Sequence, residues 1–254
     1  MRNGRILAVL AALMASGCIK TEISASDALF ADDVAVFQSE VYEGIGAAVA
    51  ILVDTSGSMD DTSYTDNRPK YVVAREALTE MFKATDQFVK KRPDFPIKVT
   101  IWSFASSPYK VLPIQTYDAG AVRAALSRIP GPGGGTGIGE AMAAARPELY
   151  RSGTYRKYII VVTDGNNTSG RDPEPVAREI YKKSEKVVET YFIAFDIDPS
   201  SFGFLKEVGG DVVPANNAVE LQAALKQIYE GKILAEAVDY GETETIPPGT
   251  GRVE

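Results

Sequence analysis

The chain contains no histidine and a single cysteine, Cys18, in 254 residues. Zinc sites built on Cys and His are thereby excluded, and so is a Ser-His-Asp or Cys-His catalytic arrangement. One cysteine cannot form a disulfide within the chain. Any metal must therefore be a hard cation held by oxygen ligands, and any chemistry must use Asp, Glu, Ser, Thr, Tyr or Lys. Basic excess is also lacking. The net charge is −7, which argues against nucleic acid, whose binding depends on clustered Lys and Arg. The one dense basic stretch, Lys90-Lys91-Arg92, falls where a helix should end and complements its dipole.

No apolar run in the N-terminal region is long enough to cross a bilayer. Ile6 to Ala15 is ten residues long, preceded by Arg2 and Arg5 and followed by small residues leading into Cys18. That order of parts reads as an export signal. Ending at a cysteine, it resembles a bacterial lipoprotein signal. The resemblance implies removal of residues 1–17, lipidation of Cys18 and anchoring in the cell envelope by acyl chains. The usual pattern has Leu three residues before the cysteine, where this chain has Ala15, with Leu13 further back. Ile19 follows the cysteine, with no inner-membrane retention Asp, which favours the outer membrane. Removal of Arg2 and Arg5 leaves an acidic body on a tether, residues 18–45.

What is present from residue 46 onward is an alternation of strands and helices. Ala47–Val53 and Tyr158–Val162 are continuous apolar runs, the pattern of strands buried on both faces. Between and after them the spacing predicts helices over Arg68–Lys91, Asp118–Arg128 (with Asp118 as N-cap), Ile138–Tyr150, Glu174–Lys186 and Val219–Ala235. A short helix is expected at Phe202–Val208. Further strands are expected at Ile97–Phe104, Val111–Ile114, Val187–Phe195 and Asp211–Val213. Pro130 to Gly137 can only be a loop. The fold class is α/β, a doubly wound, mostly parallel central sheet with helices on both faces, in one domain over residues 46–235. Residues 236–254 are polar and Gly/Pro-rich and are expected to form a disordered tail. Val34-Ala35-Val36-Phe37 fits either a short strand or a packing segment.

In open α/β sheets the site lies beyond the carboxyl ends of the strands, where strand order switches direction. Asp54-Thr55-Ser56-Gly57-Ser58 follows the first buried strand, and Thr163-Asp164-Gly165 follows the second. Thr136 lies among glycines in a third loop. Alternate spacing in a curved loop lets Asp54, Ser56 and Ser58 face one centre. With Thr136 and Asp164 they supply two carboxylates and three hydroxyls, an oxygen shell suited to Mg²⁺ or Mn²⁺. For Asp54 alone, helix capping is the favoured explanation; capping does not require Thr136.

Asp54-x-Ser56-x-Ser58, a distant Thr136 and a later Asp164-Gly165 resemble the metal-ion-dependent adhesion site of von Willebrand factor type A domains. The resemblance covers roughly residues 46–235. It implies that both serines bind the ion directly and that Asp54 and Asp164 act largely through water. Thr136 would be direct or water-mediated. An acidic side chain from a partner protein would complete the shell, so the implied function is metal-dependent protein binding and not catalysis. A cation incompletely neutralised by its own protein favours such a carboxylate.

The alternative is an aspartyl-phosphate hydrolase. Asp54-Thr55-Ser56-Gly57-Ser58 also resembles the phosphorylated loop of haloacid-dehalogenase-like phosphatases. There, however, an acid stands two residues after the nucleophile, where this chain has Ser56, and the metal loop carries another Asp where this chain has Thr168. Gly133 to Gly139 resembles a dehydrogenase cofactor loop, but no strand precedes it and no Tyr-x-x-x-Lys exists. A Gly-Lys-Ser/Thr phosphate loop is absent, so no nucleotide is expected. Asp60, Asp61 and Asp66, with Tyr64 among them, read as a solvated acidic loop, and Trp102 and Phe104 as core.

Overall fold

The computed structural model describes residues 44–63 and 67–235. The signal segment, Cys18, the tether with Val34–Phe37, Tyr64, Asp66 and the tail 236–254 lie outside the described residues, apart from Gly44 and Ile45 of the tether. Six strands form one sheet: β1 (Gly44–Asp54), β2 (Ile97–Phe104), β3 (Pro108–Thr116), β4 (Thr154–Thr163), β5 (Val188–Phe195) and β6 (Asp211–Ala215). Five α-helices accompany them: α1 (Lys70–Lys91), α2 (Ala119–Ser127), α3 (Ile138–Tyr150), α4 (Pro173–Lys183) and α5 (Ala218–Ile228).

The strand order is β3-β2-β1-β4-β5-β6. All neighbours are parallel except β2 and β3. Only Ala105, Ser106 and Ser107 separate those two strands, and a connection this short permits an antiparallel hairpin but no crossover. The order runs one way from β1 through β2 and the other way from β4, so the switch lies between β1 and β4, the two strands read as most buried.

Side-chain alternation along β1 divides the core. Ala47, Val49, Ile51 and Val53 face a cluster that includes Leu78 of α1, Val122 of α2 and Leu225 of α5. Ala48, Ala50 and Leu52 face Ala141, Met142 and Ala145 of α3 and Ile180 of α4. Every β1 residue from Ala47 to Leu52 is fully buried, which is why the strand reads as an uninterrupted apolar run. Trp102 and Phe104 are buried in the second cluster, as expected.

Helix boundaries follow local chemistry. Asp118 caps α2, accepting from the Ala121 N–H at 2.6 Å. Asp172 caps α4, accepting from the Glu174 N–H at 2.9 Å, and Pro173 takes the first helical position. That helix stops at Lys183, short of Lys186, because Glu185 and Lys186 take the left-handed conformation with φ of 54° and 71°. Pro199–Val208 is 3₁₀ with a kink at Phe202. The expected last helix divides into α5 and a π-helical segment, Tyr229–Leu234. Among the described residues no helix is long and apolar enough to cross a membrane.

Candidate functional site

Three loops meet beyond the carboxyl ends of β1 and β4, and their backbones are bonded to one another. The β1 loop is tied to the glycine-rich loop through Gly57 N–H to Gly134 O at 3.0 Å and Gly133 N–H to Thr55 O at 2.9 Å. Gly134 has φ +78°, a conformation that side chains rarely adopt, and this turns its carbonyl toward Gly57. The glycine-rich loop is tied in turn to the β4 loop. Thr136 N–H donates to Thr168 Oγ1 and Ile138 N–H to Asn167 Oδ1, both at 2.8 Å. The Thr136 carbonyl accepts from the Thr168 N–H at 2.8 Å.

These loops bring Asp54, Ser56, Ser58, Thr136 and Asp164 together. The Ser56 and Ser58 hydroxyl oxygens are 3.2 Å apart, and Ser58 Oγ donates to Asp164 Oδ1 at 2.8 Å. Gly165 forms the floor: a side-chain carbon there would lie 3.4 Å from Thr136 Oγ1 and 3.8 Å from Ser58 Oγ. The missing side chain leaves the space between these hydroxyls open.

Asp54 lies behind the hydroxyls, completely buried. Its Oδ1 accepts from the Ser56 N–H at 2.7 Å and its Oδ2 from the Thr163 hydroxyl at 2.5 Å. It therefore closes a turn of its own loop and caps no helix. Ser56 precedes the short 3₁₀ turn Gly57–Asp60 and makes no side-chain cap there. Burial pushes the Asp54 carboxyl up from 3.8 to about 6, against the opposing hydrogen bonds of Thr163 and Ser56, with a smaller upward push from the charge of Asp164.

Asp164 divides its two oxygens. Oδ1 accepts from Ser58, and Oδ2 accepts from the Lys70 ammonium at 3.0 Å. The same ammonium lies 3.4 Å from Asp196 Oδ2. Burial of Lys70 by itself lowers the affinity of its amine for a proton. The hydrogen bond and charge of Asp164, supported by Asp196, outweigh that and hold it above its ordinary value. Sequence reasoning missed Lys70, Thr163, Thr168 and Asp196. One signal for Lys70 existed: it is the first residue of α1, directly after Pro69, where the helix dipole disfavours a cation. Asp60 and Asp61 are exposed, as a solvated acidic loop requires.

The donor set fits a hard divalent ion. Among the described residues no three His, Cys, Asp or Glu side chains cluster to hold a metal, so the donors on offer are hydroxyls backed by two carboxylates. Ligands about 2.1 Å from Mg²⁺ on adjacent octahedral corners stand about 3 Å from each other. The 3.2 Å separation of the Ser56 and Ser58 hydroxyl oxygens is close to that value. Both carboxylates are already engaged by protein donors, a geometry suited to contact through water.

Residues 49–166 match the family model of the von Willebrand factor type A domain. The mostly parallel six-stranded sheet with its helices is an α/β fold of the von Willebrand factor A type. Solved structures share this fold. The PilB minor pilin from Streptococcus sanguinis superposes with a TM-score of 0.61 at 18% identity, over 78% of this chain and 63% of the pilin. BatB from Bacteroides thetaiotaomicron gives 0.58 at 20% identity, over 75% of this chain and all of BatB. The pilus adhesin SpaC from Lactobacillus rhamnosus GG gives 0.57 at 15% identity, over 76% of this chain and 31% of the adhesin. The chain thus spans less than two thirds of the pilin and less than a third of the adhesin. No curated protein matches the sequence.

Proposed function

We propose that this domain is a metal-dependent protein-binding module of the cell envelope. Ser56, Ser58 and Thr136 would hold Mg²⁺ or Mn²⁺, with Asp54 and Asp164 behind them. The ion supplies a positive centre for a carboxylate on the partner. The observation that carries this reading is the hydroxyl cluster around Gly165, whose spacing suits adjacent corners of an octahedral oxygen shell. The division of labour supports it as well. Asp54 and Asp164 spend their oxygens on Ser56, Thr163, Ser58 and Lys70, so much of the ion's charge stays available to an incoming acid.

Fold relatives that are pilins and adhesins agree with a binding role at an exported surface. Lipidation at Cys18 would place the domain there on a tether. The phosphohydrolase alternative fits less well. Asp54 is wholly buried, whereas a nucleophilic carboxylate must be within reach of phosphorus. The binding role is tested by capture from envelope extract on the immobilised domain. A protein retained in Mg²⁺, released by EDTA and not retained by Ser58→Ala supports it. Retention that ignores EDTA and the substitution contradicts it.

A further inference from the structure

Lys70 is unusual on three counts. It is a buried cation, only 8% exposed. It opens α1, at the end of the helix where the dipole opposes it. And it is clamped between two carboxylates that come from the ends of β4 and β5. Its Nζ is 3.0 Å from Asp164 Oδ2 and 3.4 Å from Asp196 Oδ2.

Asp196 is equally unusual. It is held at φ +62°, a backbone state that costs a non-glycine residue energy. Its Oδ2 is buried and, among the described residues, has no hydrogen-bond partner. Its side chain is 7% exposed, and the ammonium is the cation facing it.

We propose that Lys70 is a positioning residue of the metal site and that Lys70 and Asp196 together set its ion affinity. This rests on the reading of the hydroxyl cluster as a divalent-cation site. By taking Asp164 Oδ2, Lys70 turns Oδ1 toward Ser58 and keeps Asp164 from offering both oxygens to the ion. It also cancels one negative charge where the ion would otherwise feel it in full. Asp196 offsets part of that cancellation, because it draws the ammonium away from Asp164. The pair therefore works in opposition: the lysine weakens the hold on the ion and leaves more of its charge for a partner's carboxylate, and the aspartate moderates the lysine.

Mn²⁺ titration of the intact chain by calorimetry separates these roles. Lys70→Met should bind Mn²⁺ at least tenfold more tightly, the lower bound expected when one charge near a dication is removed. Lys70→Arg should stay near wild type. Asp196→Asn, which tolerates the left-handed backbone, should bind several-fold more weakly, and the double variant Lys70→Met/Asp196→Asn should bind like Lys70→Met, because the aspartate acts through the lysine. A merely structural lysine moves thermal stability and leaves ion affinity unchanged or reduced; that result in Lys70→Met overturns the proposal. If Lys70→Met does not fold, Asp196→Asn decides, and unchanged or tighter binding there overturns it. Failure of the wild-type chain to bind Mn²⁺ at all would instead overturn the metal site itself.

Discussion

Replacing Asp54 by Asn should stabilise the ion-free protein. The buried carboxyl is raised from 3.8 to about 6, so keeping it ionised at pH 7 costs the fold on the order of 3 kcal/mol. Asn fits the same contacts. Its oxygen can accept from the Ser56 N–H, and its amide can donate to Thr163 Oγ1, whose hydroxyl then turns to the Gly165 carbonyl 3.1 Å away. The pH dependence has a definite sign. The folded state holds the Asp54 proton more tightly than the unfolded state, so its contribution is fully present below about pH 4 and is lost as pH rises to about 6. The two proteins should therefore match near pH 4 and diverge toward pH 7. In EDTA at pH 7 the variant should melt on the order of 6–12 °C higher, given about 2–4 °C per kcal/mol for a domain of this size. Mg²⁺ at a thousand times its dissociation constant should reverse the order, since it adds about 4.1 kcal/mol to the protein that binds it. Thermal melts at pH 4 and 7, each with EDTA and with Mg²⁺, read all four conditions. A variant less stable than wild type in EDTA at pH 7, or an order that Mg²⁺ does not change, would refute the reasoning.

Other expectations follow from the same contacts. Apparent Mn²⁺ affinity should rise with pH up to about 6 and then level off, because the ion must displace the Asp54 proton; calorimetry across pH 5–8 checks this. Thr168→Val removes the acceptor of the Thr136 N–H. It should cost about 1–3 kcal/mol in a denaturant melt and weaken ion binding although Thr168 is no ligand. Leu52→Ala, at a fully buried position between β1 and α3, should cost about 2–5 kcal/mol and leave Mn²⁺ affinity of the folded protein near wild type.

The central sheet was legible because β1 and β4 are buried on both faces, and continuous apolar runs such as Ala47–Val53 have few other homes. Asp54, Ser56 and Ser58 were legible because they stand at alternate positions in one loop. Thr136 became a candidate as a hydroxyl in a glycine-rich loop, and the family resemblance tied it to the aspartate and serines some 80 positions away. The direction of β3 was not legible from its apolar residues; it follows from the three-residue connection at Ala105–Ser107. Lys70 and Asp196 escaped because their partners are set by topology, and the one local signal, a cation at the start of α1, names no partner. They meet Asp164 only after α1, β4 and β5 converge, and Lys70 and Asp164 are 94 positions apart. The π-helical turn at Tyr229–Leu234 was hidden for a similar reason, because its apolar residues keep nearly the spacing of an α-helix.

Whether the hydroxyl cluster binds a divalent ion is the central question for this domain. Electron paramagnetic resonance of Mn²⁺ titrated into the intact chain counts bound ions. One Mn²⁺ per chain in the wild type, lost in Asp54→Ala and in Ser58→Ala while both variants keep their folded circular-dichroism spectra, is the predicted result. Stoichiometric binding that survives both substitutions, or none in the wild type, would contradict it.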